Sequence, residues 1–195
     1  MILYLHGFRS SPASFKTRLL RERMQRLGRE AEYRCPQLPA SPREAIELAM
    51  EEMRGFEPKN VALIGSSLGG YYATWLAEQT GCRAVLLNPA VKPPRDLEKY
   101  VGVTTAYHDY APFEFKSAYI DELRNLSVSR TSLPHRYYLI AATGDEVLDW
   151  REMVAHYPGA RQTVIGGSDH GLSEFAEHVD SVLAFCGVSA SREQG

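Results

Sequence analysis

Short runs of apolar residues alternate along the chain with longer segments in which apolar residues recur every three or four positions. Six of the short runs are strand-like: residues 1–5, 32–35, 61–64, 83–88, 136–141 and 162–165. Short, continuously apolar runs are typical of parallel strands that are buried on both faces. The segments between them have the spacing of amphipathic helices. The pattern therefore predicts an α/β fold, with a six-stranded parallel sheet and helices on both of its faces.

Capping signals indicate where several helices begin. Ser41-Pro42-Arg43-Glu44 combines an N-cap serine, a proline at the first helical position and a glutamate three residues after the serine. Ser11-Pro12 offers a similar start for a helix whose apolar face begins with Phe15. Asp149-Trp150-Arg151-Glu152 has the pattern of a third capping box. We therefore predict helices that begin at these three places.

The alternation of strands and helices breaks between residue 89 and about residue 133. This stretch contains Pro93-Pro94 and Pro112, and it has a helical pattern near residues 117–126. Aromatic residues are frequent in it, among them Tyr100, Tyr107, Tyr110, Phe113 and Phe115. A long insertion between two strands is usually functional or disordered, and the aromatic content favours an ordered cap. We predict a single domain over residues 1–195, with a small cap insertion at about 89–133 inside it.

One predicted strand ends in a motif that can carry chemistry. The run Val61–Ile64 leads into Gly65-Ser66-Ser67-Leu68-Gly69, and a helix-like segment follows. Gly-x-Ser-x-Gly between a strand and a helix is the pattern of a nucleophile elbow, a sharp turn that exposes the serine hydroxyl at the edge of the sheet. A serine without a catalytic role on a glycine-rich turn would give the same motif, so the functional interpretation depends on partner residues elsewhere in the chain.

Those partners are expected at the carboxyl ends of the other strands, because these ends meet at one edge of a parallel sheet. A nucleophilic serine needs a base, and imidazole accepts a proton near neutral pH. His170 follows the last strand, whereas His6 follows the first and precedes the serine. The order Ser67, Asp145, His170 is the one expected for an α/β-hydrolase, so we predict these three residues as the catalytic triad.

Two aspartates compete for the third position of the triad. Asp145 follows a strand and a glycine directly, whereas Asp149 heads a predicted helix. A helix N-cap is a sufficient role for Asp149, because its carboxylate can accept hydrogen bonds from backbone N–H groups that lack partners. We therefore predict that Asp145 is the acid and that Asp149 is a cap.

The oxyanion of an acyl-transfer reaction requires two hydrogen-bond donors. One is expected to be the backbone N–H of Leu68, the residue after the nucleophile. The other is expected from the loop after the first strand, where Gly7 allows close approach and Phe8 supplies the N–H. His6, Gly7 and Asn88 are predicted to contact the substrate, because they also lie at strand ends.

Five segments carry a resemblance to a known family. They are Leu-Tyr-Leu-His-Gly-Phe-x-Ser-Ser at 3–11, Gly-Ser-Ser-Leu-Gly-Gly at 65–70, Leu-Asn-Pro-Ala at 87–90, Thr-Gly-Asp-Glu-Val-Leu-Asp at 143–149 and Gly-Ser-Asp-His at 167–170. With them the chain resembles the YqiA-type esterases, compact bacterial α/β-hydrolases, over nearly its whole length. The resemblance implies a serine hydrolase of esters or thioesters, with Ser67, Asp145 and His170 as the matched triad. It does not extend to substrate preference, because Ala-Tyr-His-Asp-Tyr-Ala at 106–111 replaces an Asn-Pro-Tyr-Thr-Gly-Glu-like motif of the family.

Composition narrows the possible partners. The net charge is −2, and residues of both signs are interspersed along the sequence. The sequence therefore has no basic cluster typical of nucleic-acid or anionic-membrane binding. No apolar run has the length of a membrane span, and the N-terminus does not have the pattern of a signal peptide. Three widely spaced cysteines form no zinc motif and are typical of free thiols in a reducing cytosol. We predict a cytoplasmic protein that acts on a small-molecule ester or thioester without metal or organic cofactor; the oligomeric state is left open.

The sequence leaves two kinds of alternative open. The fold could be catalytically silent and bind a small ligand or a protein, although an intact Ser, Asp and His in the expected order argue against this. The same triad could also carry out acyl transfer to another acceptor or hydrolysis of a C–C bond, because triad and oxyanion hole serve all of these reactions.

Overall fold

A computed structural model describes residues 1–106 and 111–188. Its strands are β1 (Ile2–Leu5), β2 (Tyr33–Arg34), β3 (Ala62–Ser66), β4 (Arg83–Leu87), β5 (Gly102–Thr105), β6 (Pro112–Phe115), β7 (Tyr137–Ala142) and β8 (Arg161–Ile165). Six of them form the main sheet in the order β2-β1-β3-β4-β7-β8, and every neighbouring pair is parallel. The predicted six-stranded parallel sheet is confirmed.

Helices cover both faces of this sheet. They are α1 (Phe15–Arg26), α2 (Pro42–Met53), α3 (Leu68–Thr80), α4 (Pro93–Leu97), α5 (Ala118–Asn125), α6 (Trp150–His156) and α7 (Val179–Phe185). Side chains of α1 and α7 share one apolar cluster with alternate residues of the strands, such as Ile2 and Tyr4. Side chains of α2, α3, α5 and α6 share the other cluster with Leu3 and Leu5. The alternation of side chains along each strand therefore builds two cores, one on each face.

The predicted starts of the helices are partly correct. α2 has the expected N-cap, Ser41, whose Oγ accepts a hydrogen bond from a backbone N–H of the first turn. α1 begins later than predicted, at Phe15 with Ser14 as N-cap. Ser11 Oγ instead accepts a hydrogen bond of 3.2 Å from the Ala13 N–H. The N-terminal signal at Ser11 is therefore used by a turn that precedes the helix.

The insertion after β4 is ordered where the structure describes it. It contains α4, the antiparallel hairpin β5–β6 and α5, and the predicted helix near residues 117–126 is confirmed as α5. Phe115, Ile120 and Leu123 belong to the same core cluster as α2 and α3, which joins the insertion to the sheet. Sequence periodicity did not predict the hairpin. Most of the departure from the family motif at 106–111 falls on residues 107–110, outside the described residues.

Candidate active site

Ser67 lies on a strained turn between β3 and α3. Its φ of 53° and ψ of −121° are uncommon for a residue with a side chain. Two glycines make the turn possible. A Cβ on Gly69 would lie 1.9 Å from the Leu5 carbonyl oxygen, and one on Gly65 would lie 2.3 Å from the Gly69 carbonyl oxygen. The predicted turn geometry therefore depends on close backbone packing that only glycine permits.

The structure brings the three predicted triad residues into one line of hydrogen bonds. His170 Nε2 lies 3.0 Å from Ser67 Oγ, and His170 Nδ1 lies 2.8 Å from Asp145 Oδ2. The Asp145 side chain has no exposed surface, and its other oxygen accepts hydrogen bonds of 2.8 Å from the N–H groups of Val147 and Leu148. Because a carboxylate only accepts, Nδ1 carries the imidazole proton. Nε2 is then free to accept the proton of the serine hydroxyl.

Asp149 lies close by in sequence but is bonded elsewhere. Its Oδ1 accepts a hydrogen bond of 2.9 Å from the Arg151 N–H at the start of α6. Its side chain is half-exposed, in contrast to that of Asp145. The predicted capping role of Asp149 is confirmed, and Asp145 is the aspartate that contacts His170.

Asn88 supports the loop of His170 rather than a substrate. It is fully buried, and its Nδ2 donates to the carbonyl oxygens of Asp169 and His170 at 3.0 and 3.2 Å. Its Oδ1 accepts a hydrogen bond of 2.8 Å from the Ala142 N–H. These bonds commit its amide to protein groups, so we correct the predicted role from substrate contact to loop support. Glu146 adds a contact that the sequence did not indicate: its Oε2 accepts a hydrogen bond from the His170 N–H.

His6 and Gly7 shape the loop beside the serine. His6 is 4% exposed, and its Nε2 accepts a hydrogen bond of 2.9 Å from the Leu38 N–H. Its Nδ1 then carries the ring proton and donates to the Gly7 carbonyl oxygen at 3.0 Å. A Cβ on Gly7 would lie 3.1 Å from Ser67 Cβ, so the loop passes very close to the nucleophile. Both residues line the cavity above Ser67, but the ring nitrogens of His6 are used to hold the loop.

The two backbone N–H groups predicted for the oxyanion are available. Leu68 is the first residue of α3, where N–H groups have no partner within the helix. In the described part of the chain, no group accepts a hydrogen bond from the N–H of Leu68 or of Phe8. The Phe8 ring packs against Tyr100, Phe113 and Phe115, with ring centroids 5.1 to 5.6 Å apart. The insertion therefore fixes the loop that carries one of the two predicted donors.

A cavity of about 660 Å³ opens above Ser67 and His170. Much of its wall is apolar: Phe8, Phe15, Leu97, Tyr100, Val147 and Leu148 line it. Phe15 belongs to the apolar face predicted for α1, but it is 45% exposed and lines this wall. The cavity has the size and the lining of a small-molecule site.

A metal centre or an activated cysteine would be another source of chemistry in residues 1–106 and 111–188. No group of three or more His, Cys, Asp and Glu side chains there could hold a metal ion. Cys35, Cys82 and Cys186 are free thiols, and burial raises the pKa of Cys35 and of Cys186 to about 12. A thiol that keeps its proton at neutral pH is a poor nucleophile. No helix in the same residues is both long and apolar enough to cross a membrane.

Comparisons with known proteins agree with this architecture. The sequence model of the uncharacterised protein family UPF0227 matches residues 1–187. Among solved structures, a protein of Agrobacterium vitis S4 has a TM-score of 0.74 at 18% identity, covering 95% of this chain and 87% of the other. Mouse alpha/beta hydrolase domain-containing protein 10 has a TM-score of 0.70 at 14% identity, with 94% and 89% covered. Est1E from Butyrivibrio proteoclasticus, with ferulic acid bound, has a TM-score of 0.68 at 13% identity, with 94% and 86% covered. At these identities the likeness shows the α/β-hydrolase fold.

Proposed function

The chain belongs to UPF0227, the YqiA-like esterase family, and from that premise we propose that it is a serine hydrolase of carboxylic esters or thioesters. The observation that carries the proposal is the unbroken line of hydrogen bonds from Ser67 through His170 to Asp145 at the floor of an apolar cavity. A catalytically silent fold would have no need of this arrangement on a strained turn, because such strain costs stability and is found mainly at functional sites.

The first half of the proposed reaction forms an acyl-enzyme. Ser67 Oγ attacks the carbonyl carbon of the substrate while its proton passes to His170 Nε2. Asp145 stabilises the imidazolium that results, and the N–H groups of Phe8 and Leu68 donate hydrogen bonds to the oxyanion. The imidazolium then protonates the leaving alcohol or thiol as the C–O or C–S bond breaks. The acyl group stays on Ser67 as an ester.

The second half releases the acid. His170 Nε2 takes a proton from a water molecule, whose oxygen attacks the acyl carbon. The tetrahedral intermediate collapses, the bond to Ser67 Oγ breaks, and His170 returns the proton to that oxygen. The products are the carboxylic acid and the free enzyme. The residues already described supply every group that these two half-reactions need, so the proposed reaction uses no metal or organic cofactor.

The wall of the cavity supports an apolar acyl group, alkyl or aryl. Phe8, Phe15 and Tyr100 offer aromatic surface, which packs well against flat or extended apolar groups. The solved structure of Est1E contains ferulic acid, an aromatic acid, which supports the inclusion of aryl esters in a first screen.

The free cysteines favour a reducing compartment, so we propose that the enzyme is cytoplasmic.

Labelling by a fluorophosphonate probe tests the nucleophile. We expect the wild-type protein to be labelled and to hydrolyse p-nitrophenyl esters or acyl thioesters, and we expect Ser67→Ala to lose both properties while it stays folded. Ser66→Ala is the matched control, because the neighbouring serine makes no hydrogen bond to His170. Labelling that survives Ser67→Ala would refute the proposal, and a wild-type protein that is neither labelled nor active would favour the silent alternative.

A further inference from the structure

Lys16 places a cation in the wall of the cavity beside the proposed base. It lies in the first turn of α1, next to Phe15, and lines the same cavity as Ser67 and His170. Its Nζ donates a hydrogen bond of 2.7 Å to the carbonyl oxygen of Gly171, the residue after His170. An ammonium group has three N–H donors, so this contact leaves two of them without a partner from the described residues.

No carboxylate of the described residues forms an ion pair with Lys16. Many cations at the surface do have such a partner: Arg23 pairs with Asp180, Arg29 with Glu32, Arg34 with Glu52, Arg43 with Glu47, Arg54 with Glu51, Arg124 with Asp121, and Lys92 and Arg95 with Glu152. Other exposed cations, such as Lys59, have no such partner, but water stabilises their charge. Lys16 is half-buried in the wall of the cavity, so neither a carboxylate partner nor full hydration stabilises its charge.

The carboxylates near Lys16 are committed to other groups. Asp145 bonds His170 through one oxygen and two backbone N–H groups through the other. Asp169 accepts hydrogen bonds from the N–H and the hydroxyl of Ser173, at 3.0 and 2.6 Å. Both carboxylates favour the charged form of Lys16 from a distance, but burial outweighs them and lowers its pKa to about 8. At neutral pH the group is still mainly an ammonium, and it lacks the counter-ion that a desolvated charge requires.

We propose that the cavity selects esters whose acyl part carries a carboxylate, and that Lys16 is the specificity residue that binds it. The inference deepens the proposed hydrolase function and rests on it. One ammonium with two remaining donors suits a singly charged, two-oxygen acceptor, which a carboxylate is. An apolar spacer between the carboxylate and the reacting ester suits this cavity, because Phe15, Leu97 and Val147 line it together with Lys16 and Ser67.

Two substrates that differ in one group test the proposal. p-Nitrophenyl hydrogen adipate carries a free carboxylate, and p-nitrophenyl methyl adipate carries a neutral methyl ester at the same place. The initial release of p-nitrophenolate at pH 7, corrected for spontaneous hydrolysis, gives kcat/KM for each. We expect the wild-type enzyme to prefer the acid. We expect Lys16→Met to lower the ratio of the two kcat/KM values by about tenfold or more, the value of one hydrogen bond to a charged group, mainly through a higher KM for the acid.

Two further variants separate specificity from structure. Lys16→Arg keeps the charge and should keep part of the preference for the acid. Lys59→Met is the matched control, because Lys59 is exposed, forms no ion pair and does not line the cavity; its ratio should equal that of the wild type. If Lys16→Met lowers kcat/KM for both substrates equally, Lys16 only holds Gly171 and the inference is wrong.

The wild-type ratio tests the inference even if a Lys16 variant does not fold. A wild-type enzyme that prefers the methyl ester overturns the inference and leaves the hydrolase function standing. Failure of the hydrolase function looks different: neither adipate ester is cleaved and the fluorophosphonate probe does not label Ser67. In that case both proposals fall together.

Discussion

Replacing Asp145 by asparagine removes a charge from the candidate site while it keeps the shape of the side chain. The remaining oxygen can still accept hydrogen bonds from the N–H groups of Val147 and Leu148. The new amide NH₂, however, would face His170 Nδ1, which now donates to a carboxylate oxygen at 2.8 Å. An amide donor there favours the tautomer with its proton on Nε2. Such an imidazole cannot accept the proton of Ser67.

We therefore expect Asp145→Asn to lower kcat by about 10²–10⁴, the range for a triad whose histidine is held in the wrong tautomer. Its effect on the free energy of unfolding should be small, because the loop keeps its hydrogen bonds. Asp149→Ala is the matched variant. It removes the N-cap of α6, which costs about 0.5–2 kcal/mol, and it should leave kcat near the wild-type value. The half-exposed contact of Asp149 with Arg151 adds little to that cost.

The assay for both variants is kcat on a p-nitrophenyl ester, together with the midpoint of unfolding in urea. We expect Asp145→Asn to be nearly inactive but as stable as the wild type, and Asp149→Ala to be active but less stable. If Asp149→Ala is the inactive variant and Asp145→Asn is only less stable, the assignment of the acid is reversed. If both keep full activity, the triad itself is refuted.

Three further perturbations probe the surroundings of the site. Asn88→Ala leaves buried backbone groups without partners, so we expect a loss of about 2 kcal/mol or more in thermal unfolding and a lower kcat; an unchanged kcat would argue against its support of the proposed base. Gly69→Ala would place a methyl group 1.9 Å from the Leu5 carbonyl oxygen and should destabilise the protein by about 1–3 kcal/mol or prevent folding, whereas a wild-type melting temperature would contradict the close packing of the elbow. Glu152→Gln breaks the bidentate pair with Arg95, which with a neighbouring lysine lowers the pKa of Glu152 from its ordinary 4.5 to about 2. A carboxyl group with a lowered pKa stabilises the fold above pH 4.5, and this stabilisation is lost as the pH falls towards 2. The variant should therefore be less stable than the wild type by about 1 kcal/mol at pH 7, and acid-unfolding curves should show this difference disappear between pH 4.5 and 2. A difference in stability that persists at pH 2 would refute the pairing.

Local patterns in the sequence were sufficient for the sheet and for the turn that holds Ser67. The six strands could be predicted because each is a short apolar run between helical segments, and the elbow could be predicted because its glycines are adjacent to the serine. Ser41 predicted the start of α2 for the same reason: an N-cap acts on N–H groups two or three residues away. The start of α1 was missed because Ser11 and Ser14 offer competing caps, and local preference alone does not choose between them.

Tertiary structure decided what each strand-end side chain does. His6 and Asn88 occupy the positions expected of substrate contacts, yet their polar atoms bond Leu38 and the His170 loop, which are 32 and 81 to 82 residues away. In the sequence, Lys16 is one polar residue of a predicted helix. It is a candidate for substrate specificity because in the folded structure its Nζ bonds the carbonyl oxygen of Gly171, 155 residues away. Sequence periodicity reports which face of an element is apolar. Which polar atoms meet across that face depends on the register and packing of elements that are distant in the chain, and only the folded structure contains that information.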